Sequence, residues 1–351
     1  MKQSSKRSFF RIKRKTVLWY IYLIALTPIC LELALRVIGA KPYIQDDYHI
    51  KISPENAFIG NDSLAITLNP GTYNITLNKK LHFTTTHKTN KQRKVAYQDK
   101  LDSIKNNVSV LGCSFTYGYG VNDNEHFVSL LQKQYPNAKF SNHAVIGYGT
   151  TQSYFQLREI LKDTIKPNIV VLNFSVDHFN RNALTNSYKR ALKIGFNRSL
   201  ETAKTMMLKA NYPYVLNTNM DIAFQGWEHM YNDWKGRETF ALINWLQTKQ
   251  DEIIDSQKDI VGISHKIMSE MNLLCKNANV NFIVALLDTN ENSLALKKLL
   301  MESDIEFAEV GFKFSNKNHI NYPNDNHPNT KGHEYIASKI SLALKPYLTS
   351  D

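Results

Sequence analysis

Cysteine is scarce in this chain, which has three cysteines among 351 residues. Cys30 lies in an apolar run near the amino terminus, which leaves Cys113 and Cys275 as the remaining thiols. Three thiols do not make a disulfide framework, and neither CxxC nor HExxH spacing occurs. The sequence therefore predicts a fold held by its hydrophobic core. It predicts no metal site, and the chemistry indicated below requires no cofactor.

Acidic residues are missing from the first part of the chain, where basic residues are concentrated. The net charge is +12, but seven basic residues lie within the first 15 positions, which leaves about +5 for the rest. So weak a charge, without a recognisable nucleic-acid-binding module, indicates no nucleic-acid partner. The sequence also lacks repeats and low-complexity tracts, which argues against a solenoid or a disordered scaffold.

One long apolar run, Val17 to Leu35, follows the basic tail and is interrupted only by Pro28 and Glu32. Nineteen residues are enough to cross a hydrocarbon core as a helix. Basic residues before it predict a cytoplasmic tail over 1–15, an anchor over 16–38, and a periplasmic or extracellular remainder. A signal peptide cleaved after Ala40, or a buried helix, is the alternative. Because a carboxylate in lipid is costly, Glu32 is expected at the outer boundary or against a partner.

The remainder divides into a β-rich part and an α/β part. Residues 41–104 contain alternating runs at 73–77 and 81–86 next to a turn at 69–71, which predicts a β-rich stalk or accessory segment. From 105 to 351 strands and helices alternate. Strands are predicted at 108–111, 140–146, 168–174, 281–287 and 305–310, and helices at 127–134, 152–161, 293–301 and 332–348. This alternation predicts a parallel sheet between two helical layers, a flavodoxin-like three-layer α/β/α fold, with a helical insertion around 180–250.

A serine within a glycine-rich turn follows the first strand of the α/β part. Ser114 stands in the sequence LGCSFTYGYG, which spans 111–120. Open α/β sheets place their ligands at the carboxyl ends of their strands, and glycines allow a tight turn that exposes the hydroxyl. The alternatives are a plain loop, or Cys113 as the nucleophile, although no feature favours Cys113 over Ser114.

An aspartate and a histidine stand close together before the last predicted helix. Asp325 precedes His327 by two residues, a spacing that allows a hydrogen bond to orient the imidazole toward a nucleophile. A surface turn is the simpler interpretation of this pair taken alone. His333 falls on the first turn of the following helix and is expected to be exposed.

Together and in this order, the two motifs resemble the SGNH (GDSL-type) hydrolase superfamily. The resemblance implies that Ser114 is the nucleophile, His327 its base and Asp325 the group that orients the histidine. The stretch NHAVIGYG at 142–149 resembles the second block of the family, which implies an oxyanion-hole role for the backbone N–H of Gly147 beside that of Ser114. The basic tail, single anchor and β-rich lead-in are similar to those of membrane-anchored members of bacterial envelopes.

The third block of the family departs from its usual pattern. The family has Asn-Asp after the third strand, and here Asp177 matches the aspartate whereas Val176 replaces the asparagine. A missing oxyanion donor costs on the order of 10²–10³ in rate, unless Asn173, His178 or Asn180 substitutes for it. Asp177 and His178 are further candidates for substrate contact, with a structural histidine as the alternative for His178.

The resemblance implies a serine esterase that removes acyl groups, with acetyl expected, from an envelope glycan or lipid. An O-acyltransferase acting on a cell-surface polysaccharide with the same triad is the first alternative. A degenerate domain that only binds a glycan or a partner is the second, and Val176 is the residue that motivates it. Fold alone does not choose among these functions.

Overall fold

The computed structural model describes residues 14–44, 48–98, 106–197 and 210–348. Most of the predicted cytoplasmic tail, and residues 198–209 of the predicted insertion, lie outside the described residues. The chain forms two compact units. The first contains the amino-terminal part up to residue 46 together with 232–253, and the second contains 47–231 and 254–351.

The first unit is built on a long apolar helix, α1 (Arg14–Val37). It is long and apolar enough to cross a membrane, with a mean hydropathy of 1.9 over its most apolar 18 residues, none of which is buried. Pro28 lies inside the helix without ending it. The same unit contains the segment 232–253, which includes most of the helix Ala241–Ser256.

The second unit contains a five-stranded parallel sheet. Its strands are Asn106–Leu111, Ala138–Asn142, Ile169–Phe174, Asn281–Leu286 and Phe307–Glu309. Taken in chain order, the strands lie in the sheet as 2-1-3-4-5. This is the flavodoxin-like doubly wound order, so the predicted fold class is confirmed. In such a sheet the carboxyl ends of the first and third strands flank the switch point where ligands bind.

Helices cover both faces of this sheet. Phe127–Gln134 and Thr330–Leu348 pack on one face, and Thr150–Ile160, Ile260–Asn277 and Glu291–Glu302 pack on the other. Side chains alternate between the two cores along each strand, as the pleat requires: Val171 points into one core, and Val170 and Leu172 into the other. Both faces are apolar, which explains the continuous hydrophobic run of the central strand.

One predicted strand ends earlier than its sequence suggested. The strand predicted over 140–146 lies at Ala138–Asn142, and the prediction is wrong beyond Asn142. The chain leaves the sheet there because the next residues form a turn in which Gly147 has a left-handed φ of 74°. The helix predicted over 127–134 is confirmed without change.

The β-rich segment belongs to the same compact unit as the parallel sheet. Strands Ile50–Ser53, Gly71–Leu77 and Leu81–His87 form one antiparallel sheet, and Phe58–Asn61 pairs with Ala65–Leu68. Their apolar side chains share a core with Tyr117, Tyr119 and Tyr148. The segment therefore packs against the turn that carries Ser114.

A buried arginine strengthens this attachment. Arg93 has no exposed surface, and its guanidinium donates hydrogen bonds of 2.5–2.7 Å to the carbonyl oxygens of Tyr117, Gly118 and Val121. It also pairs with Asp123 at 3.2 Å. Because a buried charge is tolerated only when it is paired and hydrogen-bonded, this arginine fixes the loop after Ser114 in one conformation.

The predicted insertion is only partly helical. Helices Asp177–Asn182 and Asn186–Asn197 are followed by a β-hairpin, Asn211–Val215 with Ile222–Gly226, and by the short 3₁₀ helix Trp227–His229. The hairpin had no counterpart among the predicted elements.

Candidate active site

Ser114 lies at the turn between the first strand of the parallel sheet and the four-residue helix Ser114–Tyr117. Gly112 precedes it with a φ of 153°, and a Cβ at Gly112 would come within 2.3 Å of the Thr116 hydroxyl oxygen. Glycine is thus required for the sharpness of this turn. Among the described residues, no acceptor faces the backbone N–H of Ser114.

The Ser114 hydroxyl and the carboxyl-terminal loop form a hydrogen-bonded chain. Ser114 Oγ lies 2.9 Å from His327 Nε2, and His327 Nδ1 lies 2.6 Å from Asp325 Oδ1. The serine hydroxyl and the imidazole are therefore within hydrogen-bond reach, and the carboxylate favours the imidazole tautomer that leaves Nε2 free to accept a proton. The structure thus brings together residues from the two ends of the α/β part.

Two aromatic rings limit the movement of the imidazole. Phe115 and Tyr119 lie with ring centroids 5.2 and 5.0 Å from that of His327. Tyr119 is buried, and burial raises the pKa of its phenol, so it stays neutral. The two rings hold His327 facing Ser114 and keep water from one side of the imidazole.

Both oxygens of the Asp325 carboxylate form hydrogen bonds with neighbouring groups. Oδ1 also accepts the His327 backbone N–H at 2.7 Å, and Oδ2 accepts a hydrogen bond of 2.6 Å from the Tyr48 hydroxyl. Burial raises the pKa of Asp325, but the adjacent imidazole and these hydrogen bonds outweigh it and hold the pKa below its usual value. The carboxylate is therefore ionised at neutral pH and able to stabilise a charged imidazole.

Gly147 is held by two tyrosines. Its carbonyl oxygen accepts hydrogen bonds from Tyr188 at 2.9 Å and Tyr212 at 3.1 Å. The same turn is tied to the serine turn, because the Val145 N–H donates to the Gly112 carbonyl at 3.4 Å. No acceptor faces the Gly147 N–H within the described part of the chain. This amide is therefore available as a hydrogen-bond donor.

The two asparagines named as substitute donors each have a side-chain hydrogen bond to a threonine. Asn173 is buried, and its Nδ2 donates to the Thr116 hydroxyl at 2.9 Å. Asn180 is exposed, and its Oδ1 accepts a hydrogen bond from the hydroxyl of Thr185. At the departure position, the Val176 N–H donates to Asp288 Oδ1 at 2.9 Å. The amide nitrogen of Asn173 is therefore already used by Thr116, whereas the contact of Asn180 uses its oxygen and not its nitrogen.

Asp177 and His178 have different surroundings. Asp177 is exposed and forms an ion pair of 3.0 Å with Arg181, so a substrate can reach it. His178 is fully buried, its Nδ1 lies 3.2 Å from the Thr150 hydroxyl, and burial holds its pKa well below the usual value. A neutral histidine without exposed surface fits a structural role and does not contact substrate.

Sequence reasoning missed Tyr48 and misjudged His333. Tyr48 lies in the β-rich segment, in which no chemistry was predicted, yet its hydroxyl contacts the triad carboxylate. His333 was predicted to be exposed, which is wrong: it is fully buried, and its Nδ1 accepts the N–H of Phe127 at 3.3 Å. Burial lowers its pKa to about 3, which keeps the ring neutral.

No cluster of three metal-ligating side chains occurs in the described ranges. The site consists of a serine hydroxyl, an imidazole and a carboxylate joined by hydrogen bonds. Ser114 follows the first strand of the parallel sheet and the Asp325–His327 pair precedes the last helix, which is the order of motifs in SGNH hydrolases.

Comparison with known proteins finds only remote structural similarity. No family model and no curated protein matches this sequence. Among solved structures, it is similar to the psychrotrophic esterase EstA from Pseudoalteromonas, with 11% identity, a TM-score of 0.41, and coverage of 70% of this chain and 100% of the other. An acetyl-xylooligosaccharide esterase from Geobacillus has 13% identity, a TM-score of 0.36, and coverage of 72% and 100%. The SGNH-hydrolase family esterase AlinE4 has 13% identity, a TM-score of 0.35, and coverage of 71% of this chain and 98% of the other. These similarities are remote, so the chemistry must follow from this chain's own side chains.

Proposed function

We propose that this protein is a serine esterase of the SGNH type that removes acyl groups from an envelope glycan or lipid. The hydrogen-bonded chain Ser114–His327–Asp325, with distances of 2.9 and 2.6 Å, is the observation that carries the proposal. A hydroxyl, a base and an orienting carboxylate in this geometry perform nucleophilic acyl transfer on unrelated folds.

The reaction proceeds in two steps. Ser114 Oγ attacks the ester carbonyl while His327 Nε2 takes its proton, and the Asp325 carboxylate stabilises the charged imidazole. The imidazolium then protonates the leaving alkoxide as the C–O bond breaks, which leaves an acyl-serine. Water enters, gives its proton to His327 and releases the carboxylic acid, and the proton returns to Ser114 Oγ.

The oxyanion of each tetrahedral intermediate is stabilised by backbone donors. The N–H groups of Ser114 and Gly147 have no acceptor in the described part of the chain, and the two tyrosines on its carbonyl fix the Gly147 peptide. With Val176 in place of the usual asparagine, the hole relies on two main-chain donors. A rate below that of a three-donor site is the expected consequence.

Location supports the substrate class. If α1 spans a membrane with its basic end in the cytoplasm, the catalytic unit lies in the periplasm or outside the cell, where acylated glycans and lipids are found. Acetyl is the proposed acyl group.

The test uses the full chain in detergent or nanodiscs. Hydrolysis of p-nitrophenyl acetate and labelling by a fluorophosphonate are measured for wild type, Ser114→Ala and Cys113→Ala. Both signals should vanish in Ser114→Ala and persist in Cys113→Ala, because Cys113 is buried and burial raises the pKa of its thiol. A folded wild type that shows neither signal would favour the binding-only alternative.

The same preparations separate hydrolysis from transfer. An acetylated oligosaccharide is offered as donor, with and without an unacetylated oligosaccharide as acceptor. Release of free acetate without the acceptor supports the esterase. Acetylated acceptor, with no acetate released in its absence, would instead identify an O-acyltransferase.

A further inference from the structure

Glu32, the one acid within the apolar helix α1, makes hydrogen bonds to a distant helix. Its Oε1 accepts the backbone N–H of Ala241 at 3.0 Å, and its Oε2 accepts that of Leu242 at 2.7 Å. The same carboxylate pairs with Arg36 at 2.6 Å. Glu32 thus caps the first turn of the helix Ala241–Ser256, where unsatisfied N–H groups and the helix dipole favour a negative charge.

Further contacts connect these two parts of the first unit. Arg36 Nη2 donates to the Thr239 carbonyl at 3.0 Å. One turn of α1 therefore contacts the first turn of the helix Ala241–Ser256 and also the residues just before it. Beyond the end of α1, the Tyr43 N–H donates to the Arg237 carbonyl at 3.0 Å, and the Arg237 guanidinium lies 4.7 Å from the centre of the Tyr43 ring. The start of the helix is therefore held at the last turns of α1.

The segment from 234 to 253 exposes large apolar side chains. Their exposed fractions lie between 41% and 62%, and they are Trp234, Phe240, Trp245, Leu246 and Ile253. Along the helix, positions 242, 246, 249 and 253 recur at helical spacing and so form one stripe. Lys249 interrupts this stripe, but its stem is apolar and its ammonium pairs with Glu252 at 2.6 Å.

We propose that this segment lies in the interface of the lipid bilayer that α1 crosses, with its apolar stripe toward the acyl chains. The proposal rests on the anchoring role proposed for α1. Glu32 is five residues before the end of α1, about 8 Å along the axis at 1.5 Å per residue, so the capped turn lies near the membrane boundary. Tryptophan is enriched at that depth, and an amphipathic helix joined to a membrane helix is continuous with the lipid surface.

The contacts of Glu32 also explain how the apolar helix α1 accommodates a carboxylate. A carboxylate near lipid is tolerated when its oxygens are hydrogen-bonded, and Glu32 accepts two backbone N–H groups and an arginine. In return, two N–H groups that would otherwise face the bilayer are satisfied. The hydrogen bonds of Glu32 therefore hold the interfacial helix against the anchor.

Four tryptophans make the depth measurable, because they lie at different places in the chain: Trp19, Trp227, Trp234 and Trp245. Full-length variants that keep one tryptophan each, with the others changed to phenylalanine, are reconstituted into phosphatidylcholine vesicles with bromine at the 6,7 or 11,12 acyl positions. Trp245 should lose at least about half of its fluorescence, with 6,7-bromines the stronger quencher. Trp227, which packs within the other unit, is the reference.

The outcomes separate this inference from the anchor on which it rests. Trp19 lies in α1, so an unquenched Trp19 would overturn the anchor itself. A quenched Trp19 with Trp245 no more quenched than Trp227 would overturn the interfacial segment alone. The stripe would then be a surface for a protein or a second copy of the chain.

The role of Glu32 is tested by Glu32→Leu, with Glu270→Leu as the matched control, because Glu270 also pairs with a basic residue four positions away on its helix, Lys266. Glu32→Leu should reduce quenching of Trp245 at least twofold, and Glu270→Leu should not. Glu32→Leu should leave p-nitrophenyl acetate hydrolysis unchanged, because Glu32 lies in a different unit from Ser114. Unchanged quenching in Glu32→Leu would show that Glu32 does not hold the helix at the membrane.

Discussion

The Tyr48 hydroxyl donates a 2.6 Å hydrogen bond to Asp325 Oδ2 across 277 residues of sequence. The other carboxylate oxygen binds His327, so one aspartate joins the β-rich segment to the catalytic histidine. A further bond from the same segment, from the Asn78 side chain to the Asn324 carbonyl at 2.7 Å, holds the residue just before Asp325. The segment predicted as a stalk or accessory segment thus contacts the loop that carries Asp325 and His327.

Replacing Tyr48 by phenylalanine removes the hydroxyl group and leaves the aromatic ring. Hydrogen bonds to charged groups contribute about 1.5–3 kcal/mol, so kcat/KM should fall roughly tenfold with KM little changed. The pKa of Asp325 should rise, since this hydrogen bond lowers it, and carboxyl ¹³C NMR titration measures that rise. Tyr73→Phe, which removes a hydroxyl bonded to the Pro70 carbonyl in the same segment, is the control and should change neither quantity. An unchanged kcat/KM and an unchanged Asp325 pKa in Tyr48→Phe would show that Tyr48 has no positioning role.

Gly147→Ala tests the proposed oxyanion donor, and the chain offers a matched control. Gly147 and Gly311 have φ values of 74° and 65°, and in each case the nearest atom to an added Cβ is a tyrosine hydroxyl at 3.9 Å. Both substitutions should reduce the free energy of unfolding by about 1 kcal/mol, because alanine is strained at positive φ. Only Gly147→Ala should lower kcat, by tenfold or more. Equal kcat losses in the two variants would remove Gly147 from the mechanism.

Asp288 predicts a pH-dependent stability. Burial, with the nearby charge of Asp177, raises the pKa of Asp288 to about 6 despite the hydrogen bond from Val176. The folded state therefore binds a proton more tightly than the unfolded state, so the contribution of Asp288 is greatest below pH 4 and is lost as the pH rises through 6. The loss should be on the order of 2 kcal/mol.

Urea unfolding between pH 4 and 7 measures this loss. The quantity to compare is the difference in free energy of unfolding between wild type and Asp288→Asn. The difference should change by about 2 kcal/mol across that range, because asparagine keeps an acceptor for the Val176 N–H and does not titrate. Asp163→Asn, at an exposed carboxylate, should show no such change. A constant difference for Asp288→Asn would mean that its carboxyl is not perturbed by the fold.

Local sequence patterns predicted those features that depend on residues close together in the chain, such as strands and short-range hydrogen bonds. The central strand at Ile169–Phe174 was evident from its β-branched run, and the Asp325–His327 bond from a spacing of two residues. Tyr48 was not predictable, because a contact across 277 residues leaves no periodicity in the sequence. The burial of His333 had a signal that was overlooked. It precedes Ile336 and Ile340 at helical spacing, so it shares their buried face.

The order of the chain has a consequence for the timing of activity under the proposed mechanism. Tyr48 and Arg93 leave the ribosome before Ser114, whereas Asp325 and His327 follow Ser114 by more than 200 residues. Domains fold as units during and after synthesis, so the residues around the serine can fold while its proposed base is still untranslated. A chain whose translation stops before residue 325 would therefore carry Ser114 without its proposed base. Under this mechanism, hydrolysis requires that the loop with Asp325 and His327 has been synthesised and has docked.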